Sequence, residues 1–507
     1  MSARLNKSAS SDGVATRIRR ANEQPVRAER SYVLYWMIAA RRPTWNFALD
    51  RAVDHARALR KPLVVFEPLA VDYPWASDRL HRFVIDGMRE NAVAFGSAPV
   101  TYFPYVEPRV GNGRGLLEAF ASAACVVITD EFPCFFLPRI VSAAATRLDV
   151  CLEVVDGNGL IPLVAPDRAF TTAASFRRFV QRTLPGHLKS VPRAKPFEHT
   201  TLDRLRALPT VVTDRWSPAP ETLLEAKPGS LTALPIDHEV PVVAMSGGAR
   251  AADRALKTFI VDRLSRYSDM HNEPEADMTS RLSPYLHFGH VSAHQIFDGV
   301  MRHEGWSRRR LASKPASGAR EGWWGTSSST ERFLDQLIVW RELGYNMCAK
   351  HPHDYDRYES LPEWARKTLW THQRDRRPYV YDQDALERGG THDPLWNAAQ
   401  GQLRRDGWFH NYMRMLWGKK ILEWSRTPRE ALERMIHIMN RWSLDGRNPN
   451  SYSGYFWTLG RYDRPWPERP IFGVVRSMTS ASTARKIAVR QYIATFAPPS
   501  SSRLGSG

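Results

Sequence analysis

Two neighbouring stretches, HDPLWNAAQ (residues 392–400) and WFHNYMRMLWGKKILEW (residues 408–424), decide the fold of the C-terminal half of this chain. Trp417 and Trp424 are seven residues apart, so a helix places both indoles on one face. Trp396 lies one segment upstream. Large aromatic residues at helical spacing usually pack into a core, but closely spaced buried indoles can also pass an electron between rings. The pattern therefore predicts a helical core, with an electron relay as the alternative.

The rest of the chain shows two patterns, separated by a Pro-rich connector over residues 185–245 in which we expect at most short helices. Residues 31–165 alternate short apolar runs with helical patterns, which is typical of a parallel sheet covered on both faces. Beyond residue 248 the patterns are amphipathic and helical, and one is predicted to run unbroken from Gln402 to Trp424. We therefore predict an α/β domain with a Rossmann-like parallel sheet, followed by an all-α domain. The predicted segments are a disordered basic tail (1–30), the α/β domain (31–170), an interdomain linker (171–245), the helical domain (246–490) and a disordered tail (491–507).

The charge balance points to a polyanionic partner. The 507 residues include 71 Lys and Arg against 53 Asp and Glu, a net charge of +18. Nucleic acid is the simplest partner for such a basic protein. The alternative is charge that only keeps the protein soluble, because composition does not locate a basic patch.

Other features of the composition bear on the compartment. No run of about 18 apolar residues occurs, so we expect no membrane span. The polar, basic N-terminus lacks the apolar segment of a secretory signal. Four cysteines without metal-binding spacing favour a reducing compartment. We expect a cytoplasmic protein, or a nuclear one in a eukaryote, and not a secreted one.

The sequences of the two opening stretches and of LDGRNPN (residues 444–450) resemble those of the class II cyclobutane pyrimidine dimer photolyases of the photolyase/cryptochrome family. The resemblance extends from about Ser31 to about Met478 and is densest in the helical half. It implies an antenna-type α/β domain and a helical FAD-binding domain. The implied activity is light-driven repair, in which excited reduced FAD gives an electron to a flipped-out dimer. The implied partner is double-stranded DNA containing a dimer, bound by a monomer.

The same resemblance implies a set of cofactor contacts. TSRLSPYLHFG (residues 279–289) matches the family segment that grips the pyrophosphate of FAD. Hydroxyls beside a helix start suit phosphate oxygens, although a lone Thr-Ser is more often a helix cap. A second antenna chromophore, a deazaflavin or a folate, has no residue-level match in the α/β domain. The implied FAD contacts are Tyr267, Thr279, Ser280, Leu282, Ser283, Arg341, Asn411, Arg414, Met439, Asn440 and Asp445.

The resemblance also implies an electron relay and a lesion site. The relay would run from Trp417 through Trp396 to Trp424 near solvent. Asp445 would pair with Arg414 and bias the charge of the flavin. The implied contacts with the dimer or with DNA are Gln336, Trp340, Met415, Trp457, Arg464 and Arg476.

Three positions depart from the family pattern. Gln336 replaces a substrate-facing glutamate, and a glutamine cannot carry that negative charge. Met439 stands where the family has an asparagine against the flavin. Asn440 is one residue later, about 100° around a helix, and serves only if the backbone is distorted. Asn411 replaces the glycine usual in class II.

These departures keep other functions open. A flavin-based blue-light photoreceptor would use the same flavin and relay for signalling. Repair of another pyrimidine photoproduct is a second alternative, given Gln336. A nucleic-acid-binding protein without photochemistry is a third.

Overall fold

A computed structural model describes residues 12–312 and 317–497. Within those residues, the N-terminal half contains one six-stranded sheet in the order β1-β6-β5-β2-β3-β4. Strands β2 to β6 pair in parallel, and β1 pairs with β6 in the antiparallel sense. The strands are β1 (Ile18–Arg20), β2 (Tyr32–Trp36), β3 (Leu63–Leu69), β4 (Thr101–Val106), β5 (Ala124–Asp130) and β6 (Leu152–Val155).

The central strands are buried on both faces, which explains their uniformly apolar sequences. Every residue of β2, β5 and β6 is buried, and separate apolar clusters cover the two faces of the sheet. Burial on both faces requires helices on each side of a parallel sheet. The predicted Rossmann-like α/β fold is confirmed. The helices before the predicted linker are α1 (Asp12–Ala15), α2 (Phe47–Leu59), α3 (Asp78–Gly96), α4 (Leu116–Ala121) and α5 (Leu137–Arg147).

The described ends of the chain are more regular than predicted. Residues 18–20 form β1, so the prediction of a disordered tail to residue 30 is wrong there, because backbone pairing with β6 holds the segment. Residues 1–11 lie outside the described residues. Arg490–Phe496 is helical in the predicted C-terminal tail, and its Tyr492 is buried. Residues 498–507 again lie outside the described residues.

The predicted linker begins with a long helix. Ala173–His187 packs Phe176, Phe179 and Val180 into the core of the helical half, so residues 173–187 are not a linker in the predicted sense. Pro-rich segments with short helices follow, as predicted. The helices of this region are α6 (Ala173–His187), α7 (Thr210–Thr213) and α8 (Glu221–Leu224).

The remainder is helical, as predicted. Where the structure describes it, it contains two π-helical segments, Phe259–Arg263 and Asp335–Trp340, and three short 3₁₀ turns. Its α-helices in the described residues are α9 (Ala249–Thr258), α10 (Tyr267–Met270), α11 (Ser283–His287), α12 (Ala293–His303), α13 (Ser328–Leu334), α14 (Arg341–Lys350), α15 (Glu363–Thr371), α16 (Gln383–Arg388), α17 (Pro394–Asp406), α18 (Asn411–Trp424), α19 (Pro428–Trp442), α20 (Pro449–Thr458), α21 (Ser480–Lys486) and α22 (Arg490–Phe496).

The unbroken helix predicted from Gln402 to Trp424 is wrong. Gly407 ends α17 in the left-handed conformation with φ 66°, a position that favours glycine. The ring of His410 then accepts a hydrogen bond from the Tyr412 amide and begins α18. This break lets α17 and α18 pack against each other, and it brings their tryptophans together.

Buried polar contacts join the two halves. The Arg79 side chain of α3 donates to the main-chain oxygens of Leu403, Arg404 and Trp442 at 3.3, 2.6 and 2.5 Å. On α14, Glu342 accepts hydrogen bonds from the amides of Leu160 and Ile161. Among the described helices, none is long and apolar enough to cross a membrane.

Candidate functional site

A cavity of about 450 Å³ opens among the helices of the C-terminal half. Its walls come from α10, α11, the π-helix Asp335–Trp340, α18, α19 and α20. The volume lies within the range of small-molecule and cofactor sites. Most predicted site residues line it: Tyr267, Thr279, Ser280, Leu282, Ser283, Gln336, Trp340, Arg341, Asn411, Arg414, Met415, Trp417, Met439, Asp445 and Trp457.

One buried hydroxyl group of the cavity wall has no hydrogen-bond partner among the described residues. This group is Thr279 Oγ1. Buried polar atoms nearly always have partners, so unpaired ones indicate a missing ligand or water. The unpaired Thr279 hydroxyl fits a polar, phosphate-bearing ligand such as FAD.

An ion pair lies in the wall of the cavity. Arg414 donates to both carboxylate oxygens of Asp445 at 3.0 and 2.9 Å, as predicted. Burial opposes ionisation of Asp445, but the Arg414 charge and hydrogen bonds from Arg414, Ser283 and Ser443 hold its pKa below the ordinary value. The wall therefore carries a fixed carboxylate beside a fixed guanidinium, which can orient and polarise a ligand ring system.

Three indoles form a contact chain that begins at this wall. Trp417 lines the cavity, and its ring stacks on that of Trp396 with centroids 6.3 Å apart and planes 5° apart. The Trp396 ring meets Trp424 edge to face at 5.4 Å. Hydrogen bonds fix the first two rings: Trp417 Nε1 donates to Gln400 and Trp396 Nε1 to the Trp417 carbonyl. The spatial order is the one that the resemblance implied.

The last indole of the series, Trp424, does not lie near solvent as the resemblance implied. Trp424 was predicted near solvent, but only 1% of it is exposed. Tyr381 and His392 pack edge to face against its ring, each with centroids 5.4 Å away. Those residues come from the segment before α17 and cover the indole.

Gln336 and Trp340 lie on the π-helix that forms part of the cavity wall. π-Helical turns are rare and often mark functional sites. Arg177 of α6 holds this turn through a buried pair with both oxygens of Asp335 at 2.6 and 3.0 Å. Glu342 does not line the cavity, so it does not stand in for the glutamate that Gln336 replaces.

The structure separates the two candidates for the flavin-facing amide. Met439 lines the cavity, whereas Asn440 does not. The Asn440 side chain accepts from the Arg447 amide at 2.8 Å and donates to the Tyr452 phenol at 3.3 Å. The prediction of Asn440 as a cavity contact is therefore wrong, because the regular backbone of α19 turns it away.

Arg464 and Arg476 do not line the cavity, and Arg476 is already engaged. Its guanidinium makes a two-bond contact with Asp463 at 2.9 and 3.1 Å and lies over the rings of Trp466 and Trp457. Arg464 is exposed beside Trp466. Contact with DNA stays a prediction for both.

Sequence reasoning missed several residues at the site. Trp408, which stood in the opening stretch, shares the wall with His271, Asn272 and Tyr455. Lys419 is fully buried behind the wall, where its Nζ donates to the Thr458 carbonyl and lies 4.9 Å from the Trp457 ring. A lysine on a helix usually predicts a solvated position, so no sequence signal marked it.

Comparisons with known proteins agree with this architecture. No protein-family model matches the chain. The deoxyribodipyrimidine photo-lyase of Methanothermobacter thermautotrophicus is 34% identical over 483 residues, which cover 94% of this chain and 97% of the relative. The protein of the same name from Arabidopsis thaliana is 31% identical over 94% of this chain and 91% of its own length.

Solved structures share the fold. A class III photolyase from Agrobacterium tumefaciens has a TM-score of 0.65 at 16% identity, over 92% of this chain and 86% of that one. A Synechocystis cryptochrome has the same TM-score and identity, over 92% of this chain and 88% of that one. These structures show the two-part fold, and the full-length identity to the photo-lyases shows the family. The chain belongs to the photolyase/cryptochrome family.

Proposed function

We propose that this chain is a class II deoxyribodipyrimidine photo-lyase that uses light to split cyclobutane pyrimidine dimers in double-stranded DNA. The observation that carries the proposal is a cavity that contains an unpaired buried hydroxyl and has Trp417 in its wall, followed by Trp396 and Trp424 in successive ring contact. The full-length likeness to photo-lyases supports the same conclusion. The net charge of +18 suits a DNA partner.

FAD fits the residues present. Thr279, Ser280 and Ser283 would hold its phosphates, and Arg414 with Asp445 would face its ring system. Reduced FAD, once bound, supplies the light-excited electron that opens the dimer. The remaining cofactor contacts would be those predicted residues that line the cavity, without Asn440. A deazaflavin or folate antenna remains an expectation for the α/β half.

The protein's own part is to hold the flipped-out dimer in place. Trp340 and Trp457 give the cavity two aromatic walls on which pyrimidine rings can stack. Gln336 offers an amide that both donates to and accepts from a base edge. Basic side chains around the opening would bind phosphates and position the duplex.

The relay residues would restore the reduced state of the cofactor. Trp417 would give an electron first, then Trp396, then Trp424, following the order of ring contacts.

Trp417→Phe should slow light-driven reduction of the bound cofactor by about tenfold or more. The matched control is Trp370→Phe, an indole that is 71% exposed and should keep the rate. Equal rates in both variants would reject the relay.

The direct test of the function is the loss of thymine dimers from a defined duplex. Purified protein carrying chemically reduced FAD should remove dimers under blue light and leave them intact in darkness. Removal in darkness, or no removal under light with fully reduced FAD, contradicts the proposal. A duplex carrying another pyrimidine photoproduct, treated in parallel, tests the lesion specificity that Gln336 leaves open.

A flavin-based photoreceptor is the second candidate, and Gln336 and Met439 in the cavity wall favour it. Such a protein would bind intact and dimer-containing DNA equally, whereas a photo-lyase should prefer the damaged duplex. Gel-shift titrations with the two duplexes at one salt concentration distinguish the candidates.

We expect a monomer that acts in the cytoplasm or nucleus.

A further inference from the structure

A closed turn over residues 464–474, the arginine turn, follows α20, the helix that carries Trp457 into the cavity wall. The arginine turn exposes Arg464, one of the predicted DNA contacts, and Arg469. Its two arms are paired, since Arg469 and Gly473 exchange main-chain hydrogen bonds at 2.9 and 2.8 Å. The turn therefore presents cationic side chains to solvent on a defined backbone.

The backbone of the arginine turn is strained at one residue. Ile471 has φ 70°, in the left-handed region, which is an outlier for a β-branched residue. Such a conformation costs free energy and persists only where surrounding contacts hold it. Strain that is retained in this way clusters at functional segments. The shape of the turn is therefore imposed by its neighbours.

Side chains from the end of α15 and the segment after it supply the holding contacts. The Asp375 carboxylate accepts a hydrogen bond from the Ile471 amide at 2.8 Å, and the Thr368 hydroxyl accepts one from the Val474 amide at 3.0 Å. The packing is close, since a Cβ atom added at Gly473 would lie 2.0 Å from the Thr368 hydroxyl oxygen. These contacts fix the main chain of the arginine turn at two points.

His372 adds a charged link between the same two segments. Its Nδ1 lies 2.7 Å from an Asp375 oxygen, and its Nε2 lies 2.8 Å from a Glu468 oxygen. Both ring nitrogens donate in this arrangement, and the hydrogen bonds to Asp375 and then Glu468 raise the pKa of His372 above its ordinary value. Glu468 is exposed on the arginine turn, where its negative charge would repel a phosphate backbone. The imidazolium of His372 offsets that charge.

We propose that Thr368, His372 and Asp375 are positioning residues for duplex DNA, which hold the arginine turn in the shape in which its arginines meet the phosphate backbone. This inference rests on the proposed function. A turn that is already ordered loses little conformational entropy when DNA binds, so the affinity is higher than for a loose turn. None of the three residues lines the cavity. They therefore act on the binding of the duplex and not on the light-driven step.

Thr368→Val is the first test, because it keeps the size of the side chain and removes the acceptor of the Val474 amide. The affinity for a duplex with one thymine dimer should fall by about tenfold, since that amide is left without a partner whenever the turn is formed. Thr368→Ser keeps the hydroxyl and should restore the affinity. The matched control is Thr371→Val, an exposed threonine at the end of the same helix, which should bind like the unchanged protein. Fluorescence anisotropy titrations at one salt concentration measure the four affinities.

A second measurement separates positioning from a general loss of structure. An isolated thymine-dimer dinucleotide has no flanking duplex for the turn to contact. Thr368→Val with chemically reduced FAD should therefore repair saturating dinucleotide under light at the rate of the unchanged protein. An unchanged duplex affinity in Thr368→Val, or equal losses for the duplex and the dinucleotide, overturns the proposal. Repair of the dinucleotide by the unchanged protein tests the proposed function separately, because it involves no duplex.

The charge on His372 has its own test. His372→Ala leaves the exposed Glu468 carboxylate without its partner, so the duplex affinity should fall. Adding Glu468→Gln to this variant removes the repelling charge and should return most of the loss. A double variant that binds as weakly as His372→Ala alone contradicts the role assigned to His372.

Discussion

At the scale of single residues, Lys419 combines a charge with complete burial. Desolvation lowers the pKa of its ammonium group to about 7; Asp463 opposes the shift and Arg476 adds to it. Its hydrogen bond to the Thr458 carbonyl and its place beside the Trp457 ring fix the end of α20 at the cavity wall. Lys419 is therefore a positioning residue for an aromatic wall of the proposed lesion site.

The shifted pKa predicts how stability depends on pH. The folded chain loses the Lys419 proton near pH 7, whereas the unfolded chain keeps it to about pH 10. The unfolded state then binds more protons in this window, so the free energy of unfolding should rise with pH by up to about 1.4 kcal/mol per pH unit. Urea denaturation at pH 7 and pH 9 measures this slope.

Lys419→Met should remove this contribution to the slope. The matched control is Lys420→Met, which deletes the next lysine of α18, an ammonium paired with Glu423 at 2.9 Å. The control variant should retain the slope of the unchanged protein. An unchanged slope in Lys419→Met would show that the lysine does not titrate in this range.

At the scale of elements, α6 is held against the π-helix by one buried ion pair. Arg177 and Asp335 are 4% and 7% exposed. Removing one partner of such a pair leaves the other charge buried and typically costs about 3 kcal/mol or more. Arg177→Met should therefore lower the free energy of unfolding by about 3 kcal/mol, as measured by urea denaturation. The neighbouring exposed Arg178→Met should change it by less than about 0.5 kcal/mol. Equal losses in the two variants would reject the anchor.

The elements also show what sequence can and cannot predict. The buried strands and the facing indoles of α18 were predictable, because their signals are local periodicities. Helix α6 was hidden by Pro185 inside it and by the Pro-rich segment that follows. A π-helix has no distinct periodicity in the sequence. The position of Gln336 on a π-helix could therefore not be predicted.

The same limit applies to the site. Fifteen of the residues that the resemblance implied line the cavity, since residues of one motif on one helix keep their spacing. The cover of Trp424 by Tyr381 and His392 was not predictable, because it joins segments that are distant along the chain. Asn440 was excluded only once the regular backbone of α19 was known.

At the scale of the whole molecule, Glu342 couples the two halves. It binds the amides of Leu160 and Ile161, and its burial raises its pKa to about 7. The folded chain therefore holds a proton between about pH 4.5 and pH 7 that the unfolded chain has lost. The free energy of unfolding should fall as pH rises through this window.

Glu342→Gln keeps one of the two acceptor oxygens and removes the titrating group, so the free energy of unfolding of the variant should no longer fall in this window. The exposed Glu433→Gln serves as the control and should keep it. Urea midpoints at pH 5 and pH 7 give the comparison. Parallel curves for the unchanged protein and Glu342→Gln would mean that the contact does not titrate on unfolding.

The short strand β1 has a consequence for handling this protein. It occupies the outer side of β6, with Ile18 opposite Val155 and Arg20 opposite Glu153. Without β1, β6 would be an edge strand whose unpaired backbone groups can pair with a strand of another molecule, which promotes self-association. Deleting the N-terminal residues through Arg20 would leave the backbone of β6 unpaired on that edge. We expect the truncated protein to aggregate more readily than the full chain.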